Sequence, residues 1–196
     1  MNEAATLPAW PYPRWVAHRG AGKLAPENTL AAFRLGAQYG YRMFECDVKL
    51  SSDGGPFLMH DATLQRTTNA SKVPLVPVDT GYSTPYSIAR NTSMVGGDHA
   101  WGQLALLDAG SWHSRSYAGE PLPTLANVAA FCIANGYFLN IEIKPTPGHD
   151  DITGRVVAEH AARLWHGQAV PPLPSSFQPE ALAGAQATAA HLPRAL

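Results

Sequence analysis

The sequence has few cysteines, little charge and no long hydrophobic run. Its two cysteines, Cys46 and Cys132, form no Cys-x-x-Cys pattern, so we predict two reduced core residues rather than a disulfide, redox or metal site. Charged residues make up only 15% and the formal net charge is -1, which argues against a nucleic-acid partner. No apolar run approaches the ~20 residues of a membrane span, and residues 1–15 lack the features of a signal peptide. We therefore expect a cytoplasmic protein without stable membrane insertion.

The composition is otherwise that of a folded domain with many loops. Hydrophobic residues make up 45% of the 196 residues, enough for one packed core, and there are 17 glycines and 17 prolines. Short strand patterns alternate with helical ones, which is typical of an α/β fold with a parallel sheet. Strands are predicted at residues 14–18, 43–50, 56–60, 137–144 and 174–177, with a sixth beginning at 192–196. Helices are predicted at 29–39, 125–135, 152–165 and 180–190, the first capped by Asn28 and the second by Thr124.

Residues 61–110 interrupt this alternation. The segment is rich in Pro, Gly, Ser, Thr and Asn and has no sustained period. A structureless loop of this length is unusual in a compact domain and more often has a function, so we predict an insertion that forms a lid or a substrate wall.

Carboxylates and apolar residues alternate along two of the predicted strands. Side chains alternate across a strand, so Glu45 and Asp47 share one face, and Glu142 shares a face with Asn140 and Lys144. In a solvent-facing antiparallel sheet this alternation would be ordinary. In a parallel sheet both faces are normally covered, so charged groups there must be paired, bound to a metal or placed at the carboxyl mouth of the strands.

Two histidines complete the pattern, because His18 and His60 each end a predicted strand. The carboxyl ends of the strands form the active face of a βα barrel. The three carboxylates form an all-oxygen ligand set that suits Mg²⁺ or Ca²⁺, and Arg19 and Lys144 are suitable donors to a phosphate. The two imidazoles could act as acid and base, so the residues favour metal-assisted cleavage of a phosphate ester.

A series of ordered motifs then identifies a family. The chain resembles glycerophosphodiester phosphodiesterases from about Trp15 to Leu196. The motifs that carry the resemblance are His18-Arg19-Gly20, Pro26-Glu27-Asn28-Thr29, Glu45-Cys46-Asp47-Val48, His60-Asp61, Arg66-Thr67-Thr68, Leu107-Asp108-Ala109-Gly110, Pro121-Leu122-Pro123-Thr124, Asn140-Ile141-Glu142-Ile143-Lys144 and Ser175-Ser176-Phe177.

The resemblance implies a TIM (β/α)8-type barrel over residues 14–196, with residues 1–13 as an extension and 61–110 as the insertion after the third strand. It also implies metal-dependent hydrolysis of glycerophosphodiesters to glycerol 3-phosphate and an alcohol. Residue by residue, it makes His18 and His60 the general acid/base pair. Glu45, Asp47 and Glu142 become ligands of one divalent cation, Mg²⁺ or Ca²⁺, and Arg19 and Lys144 become phosphate contacts. Glu27 is explained equally well as a site residue and as part of a helix start.

The sequence also departs from the family pattern. A full barrel has eight strands and about 250 residues, so we expect an incomplete barrel that lacks its last two strands. Its unpaired edges favour self-association with another chain. Two alternatives therefore stay open. One is an inactive remnant that binds metal or glycerophosphate. The other is a related phosphodiesterase acting on phospholipid, for which the apolar residues within 71–94 would supply a docking surface.

Overall fold

A computed structural model describes residues 10–75 and 93–196. Within them the chain forms four strands and five α-helices. The strands are β1 (Met43–Leu50), β2 (Pro56–Leu58), β3 (Phe138–Ile143) and β4 (Leu173–Ser175). The helices are α1 (Leu30–Gln38), α2 (Trp101–Leu104), α3 (Leu125–Asn135), α4 (Asp150–Leu164) and α5 (Pro179–Thr188), and short 3₁₀ helices lie at Ala70–Lys72, Gly96–Asp98 and Arg115–Tyr117.

The strands form one mixed sheet in the order β2-β1-β3-β4. β1 pairs in parallel with β3, and β3 pairs in parallel with β4, as predicted for an α/β barrel. The third predicted strand, at residues 56–60, corresponds to β2 but does not run parallel to its neighbour. It pairs antiparallel with the second half of β1. A tight turn reverses the chain between them: Ser51 N–H donates to the Gly55 carbonyl, and Gly54 has a left-handed φ of 81°. The described sheet with its helices is an incomplete α/β barrel.

The first predicted strand is reduced to a single parallel bridge between Ala17 and Phe44. Ala17 N–H donates to the Met43 carbonyl, and Glu45 N–H donates to the Ala17 carbonyl. The predicted sixth strand is likewise a parallel bridge, between Ser175 and Ala195. Both short pieces nevertheless lie where strands of a barrel would continue the sheet.

The main core lies between the sheet and helices α1, α3, α4 and α5. Cys46 and Cys132 are both free thiols buried in this core, which confirms their predicted role as core residues. Helices α4 and α5 approach each other closely, and a Cβ on Gly154 would lie 1.9 Å from the Ala181 carbonyl oxygen. Only glycine fits at that crossing.

The helix caps confirm one prediction and correct another. Thr124 caps α3 in a reciprocal arrangement with Asn127, as predicted. The cap of α1 is Thr29, whose hydroxyl accepts from Ala32 N–H, rather than Asn28. Asn28 has a left-handed φ of 58°, which is outside the extended range of a cap residue, and its side chain is used elsewhere.

The described parts of the excursion, residues 61–75 and 93–110, pack into a second small core. Buried residues from β2 and the residue after it, from the excursion and from the segment after the excursion form this cluster: Phe57, Met59, Leu64, Ala70, Leu104, Leu107, Ala109 and Leu122. Residues 76–92, which hold much of the predicted lid and of the apolar docking segment, lie outside the described residues. Among the described residues, no helix has the length and apolar character to cross a membrane.

Candidate active site

Three carboxylates converge on the face of the sheet opposite the main core. The parallel register places Asp47 beside Glu142 and Glu45 beside Asn140. Each of Glu45, Asp47 and Glu142 offers an oxygen within 4.8 Å of the others. The alternating neighbours Phe44, Cys46 and Val48 are fully buried in the main core. The same alternation that builds the core therefore brings the predicted carboxylates together.

Two of the carboxylates, Glu45 and Asp47, are buried and incompletely paired, whereas Glu142 is half-buried. Glu45 is 6% exposed and Asp47 is 0% exposed. Burial, with the nearby charge of Asp47, raises the pKa of Glu45 to about 8. Glu45 Oε1 and Asp47 Oδ1 have no hydrogen-bond partner within the described part of the chain. Buried carboxylate oxygens without donors are costly, and an all-oxygen set of this kind fits a hard divalent cation.

Two cationic side chains flank the carboxylates, as predicted. Lys144 Nζ lies 2.9 Å from Glu142 Oε1 and 3.7 Å from Asp47 Oδ1. The backbone N–H of Arg19 donates to Glu45 Oε2 at 2.8 Å, and the side-chain Nε of Arg19 lies 3.3 Å from Asp47 Oδ2. A phosphate placed beside the carboxylates would therefore meet both cations.

Asn28 holds Asp47 from the loop before α1. Its Nδ2 donates to Asp47 Oδ2 at 2.8 Å, and Asp47 N–H donates to its Oδ1 at 3.1 Å. Both Asn28 and Arg19 have a left-handed backbone, with φ of 58° and 52°. Residues held in this sparsely populated region cluster at functional sites. The sequence alone does not reveal this role of Asn28, although Asn tolerates the left-handed region better than most residues.

The two predicted histidines reach the site along one edge of β1. The chain at Ala17 pairs with this edge through Glu45 N–H, and Met59 N–H donates to the Asp47 carbonyl on the same edge. His18 follows Ala17, and its Nε2 lies 3.9 Å from Glu45 Oε2. The hairpin return of β2, rather than the end of a parallel strand, brings His60 to this edge.

His60 is held by its neighbour in sequence. Its Nδ1 lies 2.7 Å from Asp61 Oδ1, and the His60 side chain is 31% exposed. His60 also lines a small recess together with Glu27, Asn28 and Thr67. Glu27, which the sequence left between two explanations, lies at the site, since its Oε1 accepts from Arg19 Nη1 at 2.9 Å.

Two further charged residues of the site were missed. Arg66 bonds both Glu27 and Asp61. Lys49 is 3% exposed and donates from Nζ to the Lys144 carbonyl at 3.1 Å, and burial, with the charge of Lys144, lowers its pKa to about 8. Strand alternation was the available signal for Lys49, because it shares a face with Glu45 and Asp47.

The arrangement combines an acidic cluster, flanking cations and two imidazoles at one edge of a sheet. The cluster suits a divalent cation, the cations suit an anionic substrate, and imidazoles are the usual groups for proton transfer near neutral pH. Together these features fit the cleavage of a phosphate ester.

Comparison with known proteins agrees with this geometry. The model of the glycerophosphoryl diester phosphodiesterase family matches residues 18–196. Over 112 residues the chain is 47% identical to the human glycerophosphoinositol inositolphosphodiesterase, a match that covers 57% of this chain and 18% of that protein. Over 129 residues it is 33% identical to a glycerophosphodiester phosphodiesterase of Caldanaerobacter subterraneus, covering 66% of this chain and 44% of the relative.

A solved structure is similar over nearly the whole chain. It is an Oleispira antarctica phosphodiesterase in complex with the product sn-glycerol-3-phosphate, with a TM-score of 0.74 and 32% identity. The match covers 93% of this chain and 65% of that one. The chain therefore spans less than two thirds of the length of each of these relatives.

Proposed function

The chain belongs to the glycerophosphoryl diester phosphodiesterase family, and from this premise we propose that it hydrolyses glycerophosphodiesters to glycerol 3-phosphate and an alcohol. The observation that carries the proposal is the convergence of Glu45, Asp47 and Glu142 within 4.8 Å. The similar Oleispira phosphodiesterase, whose product is sn-glycerol-3-phosphate, supports the substrate class.

We assign the three carboxylates to one divalent cation, Mg²⁺ or Ca²⁺. The observation that favours this assignment is that the buried atoms Glu45 Oε1 and Asp47 Oδ1 have no hydrogen-bond donor among the described residues. When bound, the cation supplies positive charge that neutralises phosphoryl oxygens. Arg19 and Lys144 bind and orient the same phosphate, since each already lies against the carboxylate cluster.

His18 and His60 move the protons. In hydrolysis a water oxygen forms a new bond to phosphorus, and the bond from phosphorus to the alcohol oxygen breaks. One imidazole takes a proton from the attacking water, and the other gives a proton to the departing alcohol oxygen. Protons and charge balance without any further reactant.

The name of one relative supports an alternative in which the other phosphate ester bond of the substrate is cleaved. The human relative with 47% identity is named a glycerophosphoinositol inositolphosphodiesterase. Glycerophosphoinositol has two ester bonds to phosphorus. Breaking one yields glycerol 3-phosphate and inositol, and breaking the other yields inositol phosphate and glycerol. The same residues could serve either cleavage, depending on which alcohol faces the proton-donating histidine.

The test is product identification by ³¹P NMR. The purified chain is incubated with glycerophosphocholine or glycerophosphoinositol and with Mg²⁺ or Ca²⁺. We expect glycerol 3-phosphate, and we expect His18→Ala and His60→Ala to lose about 10²- to 10⁴-fold in rate. His166→Ala is the matched control, because this exposed histidine lies outside the site.

Three other results would contradict the proposal. Inositol phosphate as the product would establish the second specificity. Ligand-dependent stabilisation of a folded chain without any product would favour the inactive remnant. Turnover of phospholipid vesicles alone would favour the phospholipid enzyme.

A further inference from the structure

Arg66 joins two carboxylates that belong to different parts of the site. Its Nη1 and Nη2 donate to the two oxygens of Glu27 at 2.9 and 2.7 Å. Its Nε and Nη2 donate to the two oxygens of Asp61 at 2.6 and 3.0 Å. Arg66 thus makes a paired contact with each carboxylate at once, which only a planar guanidinium can do.

Each carboxylate in turn holds a residue of the proposed machinery. Glu27 accepts from Arg19 at 2.9 Å, and Asp61 lies 2.7 Å from the Nδ1 atom of His60. A continuous series of alternating charges therefore runs from Arg19 through Glu27 and Arg66 to Asp61, which contacts His60. It connects the loop after Ala17 with the segment after β2, the two segments that carry the histidines.

The contact with Asp61 decides which nitrogen of His60 carries the proton. A carboxylate only accepts hydrogen bonds, so a neutral His60 held at 2.7 Å must be protonated at Nδ1. Nε2 then keeps its lone pair and is the atom available for proton transfer. The guanidinium of Arg66 lowers the pKa of Asp61, with His60 as a further cause, and so keeps Asp61 an acceptor.

We propose that Arg66 is a positioning residue that fixes the tautomer of His60 through Asp61 and holds the Arg19 side chain through Glu27. The catalytic meaning of this role rests on the proposed function, whereas the tautomer itself does not. Without Arg66, Glu27 and Asp61 would lose their shared partner, and Asp61 would be free to turn away from His60. An isolated exposed ion pair contributes little, but the two paired contacts here share one cation and act as a network.

The tautomer can be read directly from ¹⁵N chemical shifts of the His60 ring at a pH where it is neutral. We expect Nδ1 to be protonated in the unsubstituted chain. In Asp61→Ala we expect the preference to reverse toward Nε2, since no acceptor remains at Nδ1, and in Arg66→Ala we expect it to weaken. Arg155→Ala is the matched control, because Arg155 is 45% exposed and bonds Asp151 at 2.7 Å away from the site. An unchanged His60 tautomer in Arg66→Ala would overturn the proposal, and an unchanged tautomer in Asp61→Ala would show that Asp61 does not set it.

Turnover gives the second readout. We expect kcat of Arg66→Ala to fall by about 10- to 100-fold, as for other residues that orient a reacting group, while Arg155→Ala keeps full activity. A loss of kcat in Arg66→Ala with an unchanged tautomer would also contradict the proposed route. If the unsubstituted chain releases no product, the proposed function fails, and the ¹⁵N measurement still decides the role of Arg66.

Discussion

Replacing Asn28 tests whether the loop before α1 builds the site or merely starts the helix. Asn28 is 3% exposed and makes two hydrogen bonds to Asp47, one to the carboxylate and one from the backbone N–H. Thr29, not Asn28, caps α1. Asn28→Ala should therefore remove both hydrogen bonds that hold Asp47 and leave the cap of α1 intact.

The expected loss can be worked from these two bonds. A buried donor or acceptor that loses its partner costs about 1–3 kcal/mol, and bonds to charged groups lie at the upper end. Two such losses at Asp47 should lower the free energy of unfolding by about 2–6 kcal/mol in the metal-free chain. The left-handed φ of 58° adds a backbone cost for Ala, which Gly avoids. Asn28→Gly should therefore be more stable than Asn28→Ala by about 0.5–1 kcal/mol.

Urea denaturation in EDTA measures both differences. The midpoint should fall in the order unsubstituted chain, Asn28→Gly, Asn28→Ala, with the same slope m. Two results would refute the reasoning. If Asn28→Ala equals the unsubstituted chain, the bonds to Asp47 contribute nothing. If Asn28→Gly is the less stable variant, the backbone at this position is not held in the left-handed region.

Three other predictions concern charge, metal and packing. The pKa of Glu45 is raised to about 8 in the folded chain, so without metal the folded state binds more protons than the unfolded state. The free energy of unfolding should therefore fall as the pH rises from about 4.5 to 8. Urea titrations at several pH values should show a flatter fall in Glu45→Gln. Mg²⁺ or Ca²⁺ at 100 times its Kd should stabilise the chain by about 2.7 kcal/mol in thermal melts, and Glu142→Gln should greatly weaken this effect. Gly154→Ala should lower Tm because its Cβ would lie 1.9 Å from the Ala181 carbonyl, whereas Gly102→Ala, with nothing within 4 Å, should leave Tm nearly unchanged.

Local patterns in the sequence predicted much of the site. Alternation in β1 and β3 correctly placed Glu45, Asp47 and Glu142 on one face, because side-chain direction in a strand depends only on position. Helices α3 and α4 were predicted to within two residues at each end, since their apolar spacing and the Thr124 cap are local signals.

What the sequence did not predict depends on contacts between distant segments. The antiparallel direction of β2 follows from pairing with β1, which a short apolar run at 56–60 does not reveal. Asn28 resembles a helix cap in sequence, and only the fold shows that it bonds Asp47. Arg66 meets Glu27 across 39 positions of chain, so periodicity cannot find that contact.

The first strand and the excursion illustrate a further limit. Residues 14–18 have a strand-like composition, yet only Ala17 pairs with β1 in the described structure. The described parts of 61–110 have no sustained period because their buried residues are widely spaced in sequence, and in the fold these residues form a cluster that includes Phe57 of β2. The function of the excursion as a lid stays a prediction.

The most direct test of the central claim is the release of glycerol 3-phosphate from glycerophosphocholine by the purified chain, measured with Mg²⁺, with Ca²⁺ and with EDTA. The account predicts release that requires a divalent cation and is lost in Glu142→Gln and in His18→Ala. Release that continues in EDTA, or that both variants retain, would contradict the assignment of the carboxylates and the histidine. No release from a chain shown to be folded and to bind the cation would contradict the proposed activity itself.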